Sequence, residues 1–157
     1  MGDALFYHLT RSPLEVTLPM LLSRSLQNGW RVVVRGQDAA RLDWLDQQLW
    51  RGADESFLPH GTAGGPHDAL QPILLTTGGD RPNGAQCLIV VDGADVEPGE
   101  AADLSRVCVI FDGNDDAARD KARGQWRSLT AAGIAAQYWS EDSGRWQKKA
   151  ESGTRMD

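Results

Sequence analysis

The most continuously apolar stretch of this chain is VCVIF, residues 107–111. Its residues are almost all β-branched or aromatic and leave no polar face for solvent, which is the pattern of a strand buried on both sides. Strands of this kind belong to parallel sheets, where crossover connections place helices over both faces. The run therefore predicts a parallel β-sheet in an α/β domain.

The segments around this run alternate between strand and helix patterns. Further strands are predicted at 4–9, 30–34, 72–76, 87–91 and 136–140. A long helix is predicted to begin near Ser12, a second one, capped by Asp38, carries Leu42, Leu45 and Leu49 on one face, and a helical turn is predicted at 101–104. Strand, helix, strand and helix at this spacing predict crossover units on a mostly parallel sheet.

The ends of the long helices carry capping signals. Ser12–Glu15 supplies a cap, a proline at the first helical position and a glutamate for a capping box. Pro19 requires either a kink or a start nearer Thr17, because an interior proline lacks the N–H donor. Asn114 is predicted to cap the last long helix, which ends at Gly133.

Composition limits the classes of protein to which the chain can belong. With 157 residues, of which 41% are hydrophobic, one core is expected, and we place a single domain at 1–143 and a polar, poorly ordered tail at 144–157. The net charge of −6 argues against a protein that coats nucleic acid, because phosphate binding needs a basic surface. We therefore expect no direct, sequence-specific binding to DNA.

The chain shows no signal for a membrane or an export pathway. No apolar run approaches the roughly eighteen residues of a membrane helix, and the N-terminus lacks the charge and apolar length of a signal peptide. Cys87 and Cys108 lie inside apolar runs, which favours reduced core thiols over a disulfide or a metal site. A cytoplasmic location without cofactor or metal is expected.

Motifs for nucleotide or metal chemistry are absent from the sequence. Neither G-x-x-x-x-G-K-[ST] nor G-x-G-x-x-G occurs between a strand and a helix, and the glycines of 61–65 better suit turns. Three groups that could bind a metal or act as acid and base lie on a stretch without rigid spacing, namely His60, His67 and Asp68. Solvated or capping roles are favoured for them over a site.

Three carboxylates lie where the 107–111 strand passes into the last helix, namely Asp112, Asp115 and Asp116. A catalytic pair would need carboxylates of this kind, but a strand end followed by a helix start also accumulates them. They cap the helix and complement the positive end of its dipole. We therefore favour the structural interpretation.

An arginine stripe interrupts the overall acidity. Arg119, Arg123 and Arg127 are spaced four apart along the last helix and share one side of it, with Trp126 adjacent. One interpretation is a solvated helix face supported by acidic neighbours. The other is an anion site, because guanidinium groups bind carboxylates and an adjacent aromatic ring can receive an apolar group. We expect the stripe to be exposed, and we expect no partner near position 123 that would compensate a reversed charge there.

A second group of residues suggests a contact surface. Large apolar side chains follow the Leu42–Leu49 helix within a segment bracketed by glycines, and these are Trp50, Phe57, Leu58 and Pro59. Such groups need to be buried either in the domain's own core or against a second protein. Both interpretations are open from the residues alone.

Several segments in order resemble the chi subunit of bacterial DNA polymerase III holoenzyme. These are FYHL, LDWLDQQLW, ESFLPHG, PNGA, VIFDGND and the final AG before a strand. The resemblance implies a three-layer α/β/α domain with a mostly parallel sheet, similar to nucleotide-binding folds but without a phosphate-binding loop. It also implies a non-catalytic accessory subunit of a complex whose activity is nucleotidyl transfer.

The same resemblance implies two partners. The psi subunit of the clamp loader would contact the segment with Trp50, Phe57, Leu58 and Pro59. The acidic, Phe-ending C-terminal tail of single-stranded-DNA-binding protein would contact the last helix through Arg119, Arg123, Trp126 and Arg127. A C-terminal extension from about Gly144 departs from the shortest family members.

Three classes of function therefore compete. The first is a replication adaptor that bridges clamp loader and single-stranded-DNA-binding protein. The second is a small nucleotide- or metal-dependent enzyme on a Rossmann-like scaffold, and the third is a structural subunit of another complex. An enzyme should be stabilised by a nucleotide or divalent metal, whereas an adaptor should respond to a peptide or protein.

Overall fold

The computed structural model describes residues 2–51, 60–141 and 145–152, with only the backbone of Trp50. The strands are β1 (Asp3–Leu9), β2 (Val32–Arg35), β3 (His60–Thr62), β4 (Ile73–Thr76), β5 (Cys87–Val90), β6 (Arg106–Asp112), β7 (Ala135–Ser140) and β8 (Gln147–Ser152). The helices are α1 (Leu14–Gln27), α2 (Ala39–Trp50), α3 (Pro98–Asp103) and α4 (Asp116–Ala131), with a 3₁₀ turn at Asp68–Leu70.

The strands form one sheet in the order β3-β4-β2-β5-β6-β1-β7-β8. Every pair of neighbouring strands in the described residues is parallel except β7 and β8, which are antiparallel. The prediction of a single α/β domain with a mostly parallel sheet is confirmed. β1 and β6 lie side by side inside the sheet, which explains why the VCVIF run is apolar on both faces.

Two apolar cores lie on opposite faces of this sheet. Leucines of α1 and α2 fill one core together with Cys108 and Ile110 of β6. Residues of α3 and α4 fill the other, in which Phe6, Val109 and Leu129 are buried. Helices thus cover both faces, as the α/β/α prediction requires.

Two predicted helix caps are wrong. Ser12 does not cap α1, since Pro13 occupies the cap position without a side-chain bond and the Ser12 hydroxyl donates to Glu141 Oε1 at 2.7 Å. Asn114 does not cap α4, because Asp115 does so by accepting from Ala117 N at 2.9 Å. At α1 the Ser12 hydroxyl binds Glu141 instead of a helix N–H group. At α4 Asp115, and not Asn114, accepts from the first N–H groups of the helix.

The structure also tests two other predictions about helix ends. Asp38 caps α2 by accepting from Ala40 N at 3.1 Å, as expected. α1 contains Pro19 in its interior and begins at Leu14, so the alternative start nearer Thr17 is wrong.

None of the helices formed by the described residues is both long and apolar enough to pass through a lipid bilayer.

Two short edge strands were not predicted. β3 lies in the stretch that the glycines marked as irregular, and β8 lies in the polar tail that was expected to lack regular structure. β8 pairs with β7 by backbone contacts, and nearly all of its side chains are exposed, so it has no apolar period to reveal it. The boundary predicted between 143 and 144 falls outside the described residues and stays a prediction.

Candidate aromatic pocket rimmed by arginines

A cavity of about 340 Å³ lies between α4 and the β6-β1-β7 part of the sheet. We call it the α4 pocket, and its lining consists of Phe6, His8, Phe111, Arg119, Ala122, Arg123, Trp126, Arg127, Tyr138 and Ala150. All four residues that the sequence assigned to tail binding belong to this lining. The structure thus brings the predicted residues together around one opening.

Aromatic rings form the floor of the α4 pocket. The Trp126 ring lies 5.3 Å from that of Phe6 and 6.3 Å from that of Tyr138, measured between centroids and edge to face in both cases. Phe111 is 6.0 Å from Tyr138. Edge-to-face pairs of this kind fix ring orientation beyond what area burial alone provides. The floor is therefore a preformed apolar surface.

The register of the parallel strands explains how these rings meet. Phe6 lies opposite Tyr138 on the neighbouring strand β7, and His8 lies opposite Phe111 on β6. Side chains opposite each other in a sheet share a face, so that three adjacent strands each contribute a ring to the same side. Tyr138 is further fixed by a hydrogen bond between its hydroxyl and His8 Nδ1.

The three arginines of α4 stand at the rim with different degrees of pairing. Arg119 contacts Asp116, and Arg123 Nη1 lies 3.6 Å from Asp120 Oδ1, both one turn back along the helix. The Arg123 side chain is 66% exposed, so its pair with Asp120 contributes little. Arg127 forms no ion pair within the described residues.

Arg119 carries an unsatisfied donor at the pocket. Its Nε is buried and has no hydrogen-bond partner among the described residues. A buried donor without an acceptor costs about 1–3 kcal/mol, and the cost is larger for a charged group. No carboxylate is among the described residues that line the pocket. The α4 pocket thus combines an apolar floor with a cationic rim, which suits an anion attached to an apolar group.

The second predicted surface cannot be located in the same way. Phe57, Leu58 and Pro59 lie outside the described residues, and of Trp50 the structure gives only the backbone, at the end of α2. The assignment of these four residues to the psi interface therefore stays a prediction.

Two of the three candidate metal and acid/base groups have structural roles. His60 is buried, with its Nε2 3.1 Å from Asp46 Oδ1, so that it links β3 to α2 and the prediction of a solvated or capping side chain is wrong for it. His67 is exposed, and Asp68 caps a turn by accepting from Gly64 N at 3.0 Å, both as predicted. Within the described residues no group of His, Cys, Asp or Glu forms a possible metal site.

The carboxylates at the start of α4 act as expected. Asp112 accepts from Asn114 N at 2.9 Å, Asp115 caps the helix, and Asp116 contacts Arg119. Cys87 and Cys108 are free and buried, as predicted. A hydrogen bond with Cys87 and burial hold the pKa of the Cys108 thiol well above its usual value, which makes it unreactive at neutral pH.

Two larger clefts, of about 920 and 780 Å³, lie at the carboxyl ends of the parallel strands. Open α/β sheets usually bind their ligands there. Most of the cations that line the clefts are paired: Arg35 and Arg81 with Glu100, Arg41 with Asp92, and Lys121 with Asp95. Arg35 also donates to the carbonyls of Gly78, Gly79 and Asp95, which saturates its guanidinium group. These charges hold loops together and offer little to a ligand.

Sequence reasoning found the rim of the α4 pocket and missed most of its floor. Phe6, His8, Phe111 and Tyr138 were assigned to strands but not to a site. The alternation in FYHL does place Phe6 and His8 on one face, which is a usable signal. Their proximity to Tyr138 depends on the strand order, which spacing alone does not reveal.

Comparison with known proteins gives the chain's relationships. The model of the family "DNA polymerase III chi subunit, HolC" matches residues 1–137. The "Probable DNA polymerase III subunit chi" of Rickettsia prowazekii (strain Madrid E) is 26% identical over 90 residues, which cover 57% of this chain and 54% of that protein. The chain thus spans about half the length of this curated relative.

The family that the sequence motifs suggested is therefore confirmed. The match includes β1 through the first half of β7 and all four helices, so it covers the structural core as well as the arginine stripe. On the strength of this match over residues 1–137, the chain belongs to the DNA polymerase III chi subunit family.

Proposed function

We propose that this chain is a non-catalytic accessory subunit of DNA polymerase III in the cytoplasm, and that the α4 pocket binds the acidic C-terminal tail of single-stranded-DNA-binding protein. Family membership supports a place in the replicative polymerase. The relative from Rickettsia prowazekii is named as a subunit of the same enzyme. The protein would then act by holding partners together.

The observation that carries this proposal is the position of three arginines around an aromatic cavity. Arg119, Arg123 and Arg127 provide positive charge for the acidic residues of a tail, and Trp126 with its neighbours offers an apolar surface for a terminal aromatic ring. A carboxylate at this rim would accept hydrogen bonds from the guanidinium N–H groups. Hydrogen bonds to charged groups contribute about 1.5–3 kcal/mol each.

A second contact would complete a bridge to the clamp loader. We propose that Trp50, Phe57, Leu58 and Pro59 contact the psi subunit or an equivalent clamp-loader component, as the family resemblance implies. If so, Phe57→Ala should weaken assembly with that partner and leave the melting temperature of the isolated chain nearly unchanged. A loss of stability of about 3–5 kcal/mol would instead assign Phe57 to the core.

Peptide titration tests the proposed function. The full-length chain is titrated by calorimetry with an acidic peptide that ends in phenylalanine with a free carboxylate. A matched peptide, in which asparagine replaces each aspartate, is the control. We expect binding of the acidic peptide, weakening of that binding as salt is raised, and much weaker binding of the control. No binding of the acidic peptide, even at low salt, would contradict the proposal.

The same protein sample discriminates the competing functions. A thermal-shift panel of nucleotides and divalent metals should leave the melting temperature unchanged if the chain is an adaptor, since only ligands of the folded state stabilise it. A gel-shift assay without single-stranded-DNA-binding protein should show no retained DNA at physiological salt, given the net charge of −6. A clear shift in either assay would favour an enzyme or a direct DNA-binding role.

A further inference from the structure

The α4 pocket is completed by residues that lie beyond the family match. That match ends at residue 137, whereas Tyr138 and Ala150 both line the pocket. They lie opposite each other on β7 and β8, the antiparallel pair at the edge of the sheet. This chain therefore builds one side of the pocket from a segment outside the region it shares with the family model.

Tyr138 is held firmly in this position. Its hydroxyl is hydrogen-bonded to His8 Nδ1, and its ring lies 5.8 Å from that of His8 and 6.3 Å from that of Trp126. Gly113 provides the space for the His8 ring, since a Cβ at Gly113 would overlap the imidazole. The aromatic side of the pocket is thus fixed by contacts from three strands and from α4.

β8 is fixed from the opposite face of the sheet. Trp146 packs edge to face on Tyr7 with 5.4 Å between the ring centroids. Glu151 accepts from Gln137 Nε2 at 3.2 Å and pairs with Lys148 at 3.3 Å. Glu151 and Ala150 are neighbours in an extended strand and therefore point to opposite faces. Of these two neighbours, Ala150 is the one that faces the α4 pocket.

We propose that the β7–β8 pair sets the specificity of the α4 pocket, with Ala150 leaving the room that an aromatic C-terminal side chain requires. This inference rests on the proposed function of the pocket as a site for an acidic peptide. Side chains opposite each other on antiparallel strands have Cβ atoms about 4.5–5.5 Å apart. A large side chain at 150 would therefore contact Tyr138 and occupy the space beside it, while the arginines stay available.

The test compares Ala150→Phe with Glu151→Phe in the full chain, by calorimetry with two acidic peptides. One peptide ends in phenylalanine and the other in alanine, with the same acidic residues. The wild type should prefer the phenylalanine peptide by about ten-fold or more, the scale of discrimination that an apolar pocket provides. Ala150→Phe should lose most of that preference but still bind the alanine peptide, and Glu151→Phe should keep the preference.

A second variant guards against a disturbed fold. Ala150→Val adds only two methyl groups and suits a strand, so it should retain the wild-type melting temperature and show an intermediate preference. Unchanged preference in both Ala150 variants would overturn this inference and leave the proposed function intact. Failure of the wild type to bind either peptide would overturn the proposed function, and this inference with it.

Discussion

The ring of Trp126 stands edge to face against the ring of Phe6, with 5.3 Å between centroids and 62° between planes. Phe6 has no solvent exposure and lies in the interior strand β1, whereas Trp126 is only partly buried. The indole is therefore anchored to the sheet on one side and lines the α4 pocket on the other. This contact fixes the distance between the rigid core and the arginines on either side of Trp126.

Because Trp126 both packs on the core and lines the α4 pocket, its removal should lower stability as well as peptide binding. Trp126→Ala should lower the free energy of unfolding by roughly 3 kcal/mol, because it deletes a ring packed on Phe6 and Tyr138. It should also abolish most binding of an acidic, aromatic-ended peptide. Urea denaturation and calorimetry on the same preparation check both effects. A variant with full stability and full affinity would show that Trp126 is neither anchored nor part of the site.

Gly113 is predicted to tolerate no side chain. A Cβ at this position would overlap the His8 ring and lie 2.7 Å from the Leu9 carbonyl oxygen, and the backbone oxygen cannot move away. Gly113→Ala should therefore be destabilising by about 1–3 kcal/mol, the typical cost of overpacking. Gly124 in α4 is the control, since a Cβ added there would meet no other part of the described chain within 4 Å. Gly124→Ala should stabilise by up to about 1 kcal/mol in the same denaturation assay.

The buried pair of Arg35 and Glu100 predicts an asymmetric response. Both guanidinium nitrogens Nη1 and Nη2 donate to the Glu100 carboxylate, at 2.7 and 2.8 Å, and the Arg35 side chain is 8% exposed. Glu100→Gln leaves this cation without its counter-charge and should cost about 3 kcal/mol. Arg81→Gln, which removes the more exposed partner at 3.6 Å, should cost less than about 1 kcal/mol. Equal losses in the two variants would contradict this ranking.

The buried phenol of Tyr7 should make the folded protein less stable at high pH. Burial, with a smaller effect of Cys108, raises the pKa of the Tyr7 phenol far above its ordinary value of 10.0. The folded state therefore keeps this proton up to a higher pH than the unfolded state does. The contribution of Tyr7 to the free energy of unfolding is complete below about pH 10 and is lost as the pH rises beyond that value.

Tyr7→Phe should remove this dependence. Between about pH 9 and about pH 11, the wild type should lose roughly 1.4 kcal/mol more of its free energy of unfolding than the variant does. Urea denaturation at the two pH values, with reductant present for the thiols, measures this difference. Parallel declines in the two proteins would show that Tyr7 ionises as easily in the folded state as in the unfolded one.

The predictable parts of the fold are those with an apolar period or a charge pattern. The VCVIF run predicted a strand buried on both faces, and its apolar pattern reflects the position of β6 between two strands and under helices on both sides. The four-residue spacing of Arg119, Arg123 and Arg127 predicted that they share one side of a helix. β8 was not predicted because an exposed edge strand needs only backbone pairing. The two predicted caps are wrong for different reasons. The Ser12 hydroxyl binds Glu141, which is distant in sequence, and Asp115, next to Asn114, caps a helix equally well.

The α4 pocket shows the same division. Its rim belongs to one helix and is readable from spacing, whereas its floor joins Phe6, Phe111 and Tyr138 from three strands that are far apart in sequence. Their assembly depends on the β6-β1-β7 order, which only the folded sheet provides. Ala150 completes the pocket from a strand that the sequence did not reveal.

The central claim is that Arg123 binds the carboxylates of an acidic tail, and calorimetry with that peptide on three variants tests it most directly. Arg123→Ala should weaken binding by about ten-fold or more, through loss of a charge-assisted hydrogen bond. Arg123→Glu should be weaker still, and stability should change little because the Asp120 pair is exposed. Lys121→Ala, which removes a cation from the same helix but outside the α4 pocket, should bind like the wild type. Equal affinities for the wild type and both Arg123 variants would contradict the assigned site.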